Sequence, residues 1–443
     1  MNQALSVDCG DAVEPLEGNY FVAVYPTFSC WKQESLPAVQ HALLRTPPAR
    51  QRAPLGLYIH VPFCLKRCEF CYYRSYAGQS RTMRERYVDA LLRELLLYRS
   101  YPAVADRPLE FVYVGGGTPS LLSVEQIERL FQGLGKIFSL REVREITFEC
   151  APKSVTRRRL ATLAELGVTR ISLGVQQLDD DVLRRNGRIH LTRDAEKAYA
   201  AIVRCGFPTV NVDLMAGLVG ETDETFHASL GRVLQWRPAS VTMYPLEVPA
   251  NTPLSRALHE NRVPPPADWN EKRRRLREAW DRLIAAGYTV RSCYAAVRNP
   301  DADRFLYQEE QYRGADLIGV GASSFSYFGG VHYQNATSLE DYLASLHHDR
   351  LPLARAYALD EEEQMVRELI LQLKLGQVEE PYFRRKFGVD IGERFARPLA
   401  EMASRGWIRD DSGSWKLSAE GRARIDRLLP EFYLPQHRLL SYW

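Results

Sequence analysis

The chain has 443 residues, 45% of them apolar, which is enough for a large core and, at about 150 residues per domain, for two or three domains. Its 58 Lys and Arg against 55 Asp and Glu leave a net charge of +3, so no general attraction to nucleic acid or to an anionic membrane follows. Of eight cysteines, five are scattered (Cys9, Cys30, Cys150, Cys205, Cys293); they make no disulfide framework and are expected to be inert buried thiols.

In chain order, residues 1–18 are acidic and lack an apolar stretch, so no secretory signal is expected there and the stretch is expected to be disordered. Residues 20–31, Tyr-Phe-Val-Ala-Val-Tyr-Pro-Thr-Phe-Ser-Cys-Trp, are dense in aromatic side chains. From residue 56 strand and helix signals alternate. Short β-branched or apolar runs lie at 56–61, 110–114, 144–150, 169–175, 209–215 and 240–246. Between them the spacing predicts helices over 81–98, 124–138, 157–166, 193–205 and 224–236. Ser123-Val-Glu-Gln126 has the pattern of a capping box. The densest apolar run, residues 91–97, is too short and too charged to span a bilayer, so the chain reads as cytoplasmic with no membrane partner. Six strand–helix units with such connections imply a parallel sheet, open or closed into a barrel.

A proline-rich joint at 263–266 precedes a predicted helix at 269–286, a strand at 288–293 and a glycine-rich run at 316–324. Two basic runs, 157–159 and 272–275, sit on predicted helices and read as solvated faces. From residue 359 the pattern turns helical, over 361–375 and 389–405, then forms a hairpin at 406–417 with its turn at 410–413. Helices followed by a short hairpin suggest a winged-helix-like module. The expected division is a lead segment at 1–54, a barrel at 55–260, an extension and linker at 261–358, and a C-terminal helical domain at 359–443.

Chemistry concentrates at the end of the first strand, where Cys64, Cys68 and Cys71 form a C-x3-C-x2-C triplet. Soft thiolates suit iron–sulfur clusters, and three of them on a four-iron cluster leave one iron free to bind a small molecule. Structural zinc is the alternative, but a closed zinc site wants four ligands and only His60 stands near in sequence.

Barrel enzymes place their chemistry at the C-terminal ends of strands, which directs attention to polar residues that end apolar runs. Gly115-Gly116-Gly117-Thr118 follows the second strand, and its glycines would let backbone amides approach a ligand. Glu149, Gln176 and Asp213 close or lie in the next three strands. A carboxylate at a barrel mouth can hold ribose hydroxyls or a cation, although a helix cap or loop ion pair would look the same in sequence. Arg188 offers a fork for bidentate bonding, or is a surface arginine. Tyr58 and His60 share one face of the first strand by alternation.

The run Tyr58-Ile-His-Val-Pro-Phe-Cys64 with its C-x3-C-x-F-C continuation resembles the radical S-adenosylmethionine (SAM) enzymes, in particular the group around oxygen-independent coproporphyrinogen III dehydrogenase. The resemblance implies an α/β fold, a six-unit partial TIM-like barrel with a C-terminal winged-helix-like domain, and a 4Fe–4S cluster on Cys64, Cys68 and Cys71. It further implies that SAM binds the free iron and is cleaved by one electron to a 5′-deoxyadenosyl radical. An external donor such as flavodoxin or ferredoxin would supply that electron, and a small molecule would be the substrate. By the same resemblance Tyr58, Gly116, Gly117, Thr118 and Glu149 would hold the cluster-bound SAM, and Phe70, Gln176, Arg188 and Asp213 a second SAM. The glycine-rich run at 316–324 would return to the active-site mouth, and the aromatic lead segment would lie over the opening.

Two departures shape the expected reaction. In the dehydrogenase a fourth cysteine follows one residue after the third, whereas here Cys71 is followed by Tyr72-Tyr73-Arg74. Heme-chaperone relatives also lack it, but they begin almost at the cluster motif, and this chain has 63 residues before Cys64. A third set of relatives uses two SAM molecules for C-methylation or cyclopropanation of specialised metabolites. The expected reaction is therefore methyl or methylene transfer, with coproporphyrinogen decarboxylation and heme carriage as alternatives.

Overall fold

The computed structural model describes residues 14–18, 21–48 and 52–438; residues 1–13, Cys9 among them, and Tyr20 lie outside the described residues. Seven parallel strands form the heart of the sheet. Six follow the expected runs: β1 (Leu55–Val61), β2 (Phe111–Gly116), β3 (Glu145–Cys150), β4 (Arg170–Gln176), β5 (Thr209–Ala216) and β6 (Ser240–Pro245), paired in that order. They are buried on both faces, the condition under which a strand reads as a continuous apolar run.

The crossover helices α1 (Arg81–Arg99), α2 (Val124–Ile137), α3 (Arg157–Glu165), α4 (Thr192–Arg204) and α5 (Asp223–Trp236) cover the outer face. Their starts are chemically marked. Ser123 accepts from Gln126 N at 3.2 Å while Gln126 Oε1 accepts from Ser123 N at 2.9 Å, a reciprocal cap of the kind worth ~1 kcal/mol. Leu130, Phe131 and Leu134 of α2, Leu91 and Leu95 of α1, and Phe148 of β3 are all buried in the same core.

The seventh parallel strand departs from expectation. The glycine-rich run at 316–324 begins as β7 (Asp316–Val320), which pairs with β1 on the side away from β2. Gly319 there serves packing, since a Cβ would stand 2.2 Å from the carbonyl oxygen of Phe325. An antiparallel meander of Phe325–Phe328, Val331–Asn335 and Leu353–Ala358 extends that side. At the other edge the strand expected at 288–293 is only Thr289–Val290; the chain turns at Ser292 and pairs Ala295–Val297 antiparallel to β6.

The basic run at 272–275 is another correction. On α6 (Trp269–Ala285), Lys272, Arg273 and Arg275 are buried and only Arg274 meets solvent. The reason is complementary charge, because α6 packs on the start of α5. Arg275 pairs with Glu221 at 3.1 Å and Asp223 at 2.9 Å. Of the scattered thiols, Cys150 and Cys293 are buried as expected, but Cys30 and Cys205 are half-buried.

The C-terminal part begins with α7 (Glu361–Leu373) and contains a three-stranded antiparallel sheet of Gln377–Glu379, Ser414–Leu417 and Ile408–Asp410, after which the chain turns helical again at Ala419–Ala423 and Ile425–Leu428. The helix expected over 389–405 is two, Ile391–Arg394 and Ala396–Ser404, because Phe395 leaves helical geometry at φ −116, ψ 28. A helix over Glu380–Phe387 had no counterpart in the sequence reading. Val22, Tyr25, Cys293 and Tyr294 share one apolar cluster with Val366, Leu369, Leu373 and Leu428, so lead segment, barrel and C-terminal part are packed together. Among the described residues, no helix is long and apolar enough to cross a membrane.

Candidate active site

Beyond β1 the chain forms a short loop that carries all three clustered cysteines. Cys71 N donates to Cys68 O at 3.2 Å, and Arg67 grips Cys71 O through Nε and Nη2 at 3.1 and 2.7 Å. Glu69 ties the loop to the barrel: its N donates to Asn186 O at 3.2 Å, and its O accepts from Leu254 N at 2.8 Å. The three thiols are free of disulfides, half-buried, and line one cavity of about 260 Å³.

Hydrogen-bond donors face the sulfurs. Thr118 Oγ1 lies 3.7 Å from Cys64 Sγ, and Arg188 Nη1 lies 3.2 Å from Cys68 Sγ. Burial raises the Cys64 thiol above its ordinary value and the Cys71 thiol to about 11, so these groups stay protonated until a metal draws off the proton. Three free thiols at one cavity, with donors aimed at two of them, fit an iron–sulfur cluster held by three cysteines and open at its fourth position. Among the described residues, no three His, Cys, Asp or Glu side chains form a single-ion cage.

Two carboxylates stand at the strand ends. Glu149 on β3 accepts from Tyr113 Oη at 2.5 Å and from Gly116 N at 3.0 Å. Burial pushes its pKa up to about 7, with the nearby Asp213 adding to the rise. Asp213 on β5 accepts from Asn211 Nδ2 at 2.7 Å and Ser172 Oγ at 3.1 Å, and burial lifts it to about 6. Both are carboxylates whose charge is poorly repaid by their protein neighbours, the setting in which a cationic ligand gains most.

The glycine run works by close approach. Gly116 has φ +114, and a Cβ there would lie 2.7 Å from the His60 ring. His60 itself is buried and held neutral, its pKa driven down to about 4, with Nδ1 2.8 Å from Tyr58 Oη. Gln176 ends β4 at φ +70, a conformation costing a non-glycine residue about 1–3 kcal/mol, and its Oε1 is buried without a partner. Arg188 Nη2 donates to Gly174 O at 2.6 Å while its Nε is unpartnered. Strain and unmet polar atoms at one mouth are what a site awaiting a polar ligand leaves behind.

Tyr58, Cys64, Cys68, Phe70, Cys71, Gly116, Gly117, Thr118, Glu149, Gln176, Arg188 and Asp213 all line this one cavity. Sequence reasoning missed Tyr113, Ser172 and Asn211, which hold the two carboxylates; each is two or more residues upstream on a strand, on the same face as a residue that was singled out. A second lobe of about 280 Å³ shares Phe70, Glu149, Gln176 and Asp213 with the first and adds Phe21, Tyr72, Tyr113, Tyr244 and Phe305. Of the described lead aromatics, only Phe21 reaches it. Phe28 and Trp31 are instead core, packed on Phe325 and His332 at ring distances of 4.5 and 5.1 Å, so the expectation that the whole segment lies over the opening does not hold. Glu14 pairs with Arg273 and Arg427, so 14–18 is anchored rather than disordered.

Residues 58–233 match the Radical SAM superfamily and residues 359–424 the HemN C-terminal domain. The crystal structure of coproporphyrinogen III oxidase (HemN) from Escherichia coli superposes with a TM-score of 0.80 at 26% identity, over 95% of this chain and 99% of that one. The chain belongs to the radical SAM superfamily, in its HemN/HemW group. The oxygen-independent coproporphyrinogen III oxidase of Escherichia coli (strain K12) is 28% identical over 87% of each chain. The heme chaperone HemW of Bacillus subtilis (strain 168) is 27% identical over 82% of this chain and 95% of its own length. Membership in the superfamily implies a 4Fe–4S cluster and SAM, and the three-thiol cavity fits both.

Proposed function

We propose that the chain is a HemN-type radical SAM enzyme whose aromatic lobe holds an organic substrate, and that coproporphyrinogen III oxidation is its reaction. Bound cluster and SAM would supply a strongly oxidising carbon radical for hydrogen abstraction. The chain's own residues then bind and orient. Cys64, Cys68 and Cys71 would hold the iron, and Glu149, Gly116, Gly117, Thr118 and Tyr58, which line the same cavity, would hold the first SAM. Gln176, Asp213 and Phe70 stand where the two lobes join, with Arg188 beside them on the thiol-cavity side, which suits a second SAM or the polar end of a substrate. The observation that carries the reading is this continuity: the thiol cavity opens through Glu149 and Asp213 into a lobe walled by Phe21, Tyr113, Tyr244 and Phe305.

The relatives named above favour oxidative decarboxylation over the methyl or methylene transfer that the absent fourth cysteine suggested. The HemW likeness supports heme carriage as a second reading. Anaerobically reconstituted protein with reductant, SAM and coproporphyrinogen III decides among them. Loss of carbon dioxide with 5′-deoxyadenosine is the expected result. Methyl label from SAM in the product restores methyl transfer, and stoichiometric heme binding without 5′-deoxyadenosine gives the chaperone.

A further inference from the structure

Lys374, the residue that caps the C-terminal end of α7, is fully buried, and its amine does not point along its own helix. Nζ donates to Val22 O at 2.6 Å, pairs with Asp426 Oδ1 at 3.1 Å, and stands 3.6 Å from the centre of the Phe21 ring. Asp426, on the short helix Ile425–Leu428, accepts in turn from Val22 N at 3.0 Å and from Tyr294 Oη. Both backbone polar groups of Val22 are thus held by one ion pair from the C-terminal part, while the preceding residue, Phe21, is pressed into the aromatic lobe. There Phe21 meets Tyr244 edge-on at 6.2 Å and Tyr294 at 5.2 Å. The anchor is tied to the barrel as well, since Cys293 N donates to Lys374 O at 2.8 Å.

A buried ion pair is a poor way to gain stability, because desolvation offsets most of the attraction and an apolar pair of the same shape often does as well. Its distinctive capacity is geometric: a charge-assisted grip on a main-chain amide and carbonyl fixes one conformation of the segment it holds.

We propose that Lys374 and Asp426 are positioning residues that clamp Val22 and so set Phe21 as a wall of the substrate lobe, giving the C-terminal domain a direct hand in coupling SAM cleavage to substrate turnover. This rests on reading the aromatic lobe as the substrate lobe. Neither residue lines the thiol cavity, and the clamp reaches the lobe through Phe21.

The test uses the full, cluster-loaded chain and three variants, Lys374→Met, Asp426→Asn and Phe21→Leu, with two readouts. Amide hydrogen exchange over residues 21–24 should rise at least tenfold in Lys374→Met and Asp426→Asn, and stay as wild type across β1. The ratio of 5′-deoxyadenosine to oxidised coproporphyrinogen should rise at least tenfold in all three variants, with SAM cleavage in the absence of substrate unchanged within about twofold in Lys374→Met and Asp426→Asn. Combining Lys374→Met with Phe21→Leu should add nothing to the uncoupling of either alone. Wild-type exchange over 21–24 in Asp426→Asn, or wild-type coupling in Phe21→Leu, overturns the clamp. If the wild-type chain itself oxidises no coproporphyrinogen, the functional reading fails, and the exchange measurement still decides whether the ion pair holds Val22.

Discussion

Tyr113 and Glu149 stand on adjacent strands of the barrel, and the phenol of one donates to the carboxylate of the other across 2.5 Å at the mouth of the thiol cavity. That bond and the one from Gly116 N lower the pKa of Glu149, but burial wins, and the group sits at about 7 against an ordinary 4.5. Between about pH 4.5 and 7 the folded state of the cluster-free protein therefore binds a proton that the unfolded state has released. Stability from this group is full below about pH 4.5 and is lost as pH rises through 7. Each unit of such a shift is about 1.4 kcal/mol. Glu149→Gln should raise the melting temperature of the cluster-free protein at pH 8, leave it nearly unchanged at pH 4.5, and weaken SAM binding. A calorimetric pH series on both proteins checks the sign.

Replacing Cys64, Cys68 or Cys71 by Ala should abolish the cluster while the chain stays folded, since the thiols contribute no disulfide and face a cavity. Iron and sulfide analysis after anaerobic reconstitution is the readout; full cluster content in Cys68→Ala would refute the assignment.

Asp213→Asn and Arg188→Ala should keep the cluster and some 5′-deoxyadenosine formation while losing substrate oxidation. Losing one buried charge-assisted contact costs about 1.5–3 kcal/mol, a loss of roughly ten- to a hundredfold in affinity. Equilibrium dialysis with labelled SAM distinguishes one bound molecule from two.

Arg275 and its neighbour Arg274 give a stability contrast. Arg275 is buried against buried Glu221, so Arg275→Ala should cost about 3–5 kcal/mol by stranding that carboxylate. Arg274 bonds Asp223 and Glu278 at the surface, and Arg274→Ala should cost under about 1 kcal/mol. Urea unfolding of the two variants measures the difference.

That contrast marks where sequence stopped being legible. The six barrel strands could be read because burial on both faces leaves continuous apolar runs, and the strand-end residues because a polar side chain closing such a run is conspicuous. Arg275 could not, since its acidic partners, Glu221 and Asp223, lie more than fifty positions earlier and nothing in the Lys-Arg-Arg-Arg run separates a buried guanidinium from a solvated one. β7 was hidden by its glycine, Gly319, which meets the backbone of Phe325 rather than a ligand. Ser172 and Asn211 were within reach of simple alternation, two positions from Gly174 and Asp213, but carried no chemistry of their own to draw notice. The Lys374 clamp depends on residues some 350 positions apart in the chain, and only folding brings them together.

β1 lies inside the sheet, paired along its length with β2 on one side and β7 on the other. The loop that would carry the iron thus hangs from a strand whose own place is secured by neighbours on both flanks, and whose residues are almost all buried. The ligand loop is therefore carried by pairing and burial that need no metal, and the chain is expected to fold before the cluster is fitted, which amide hydrogen exchange over 55–61 in the cluster-free protein checks.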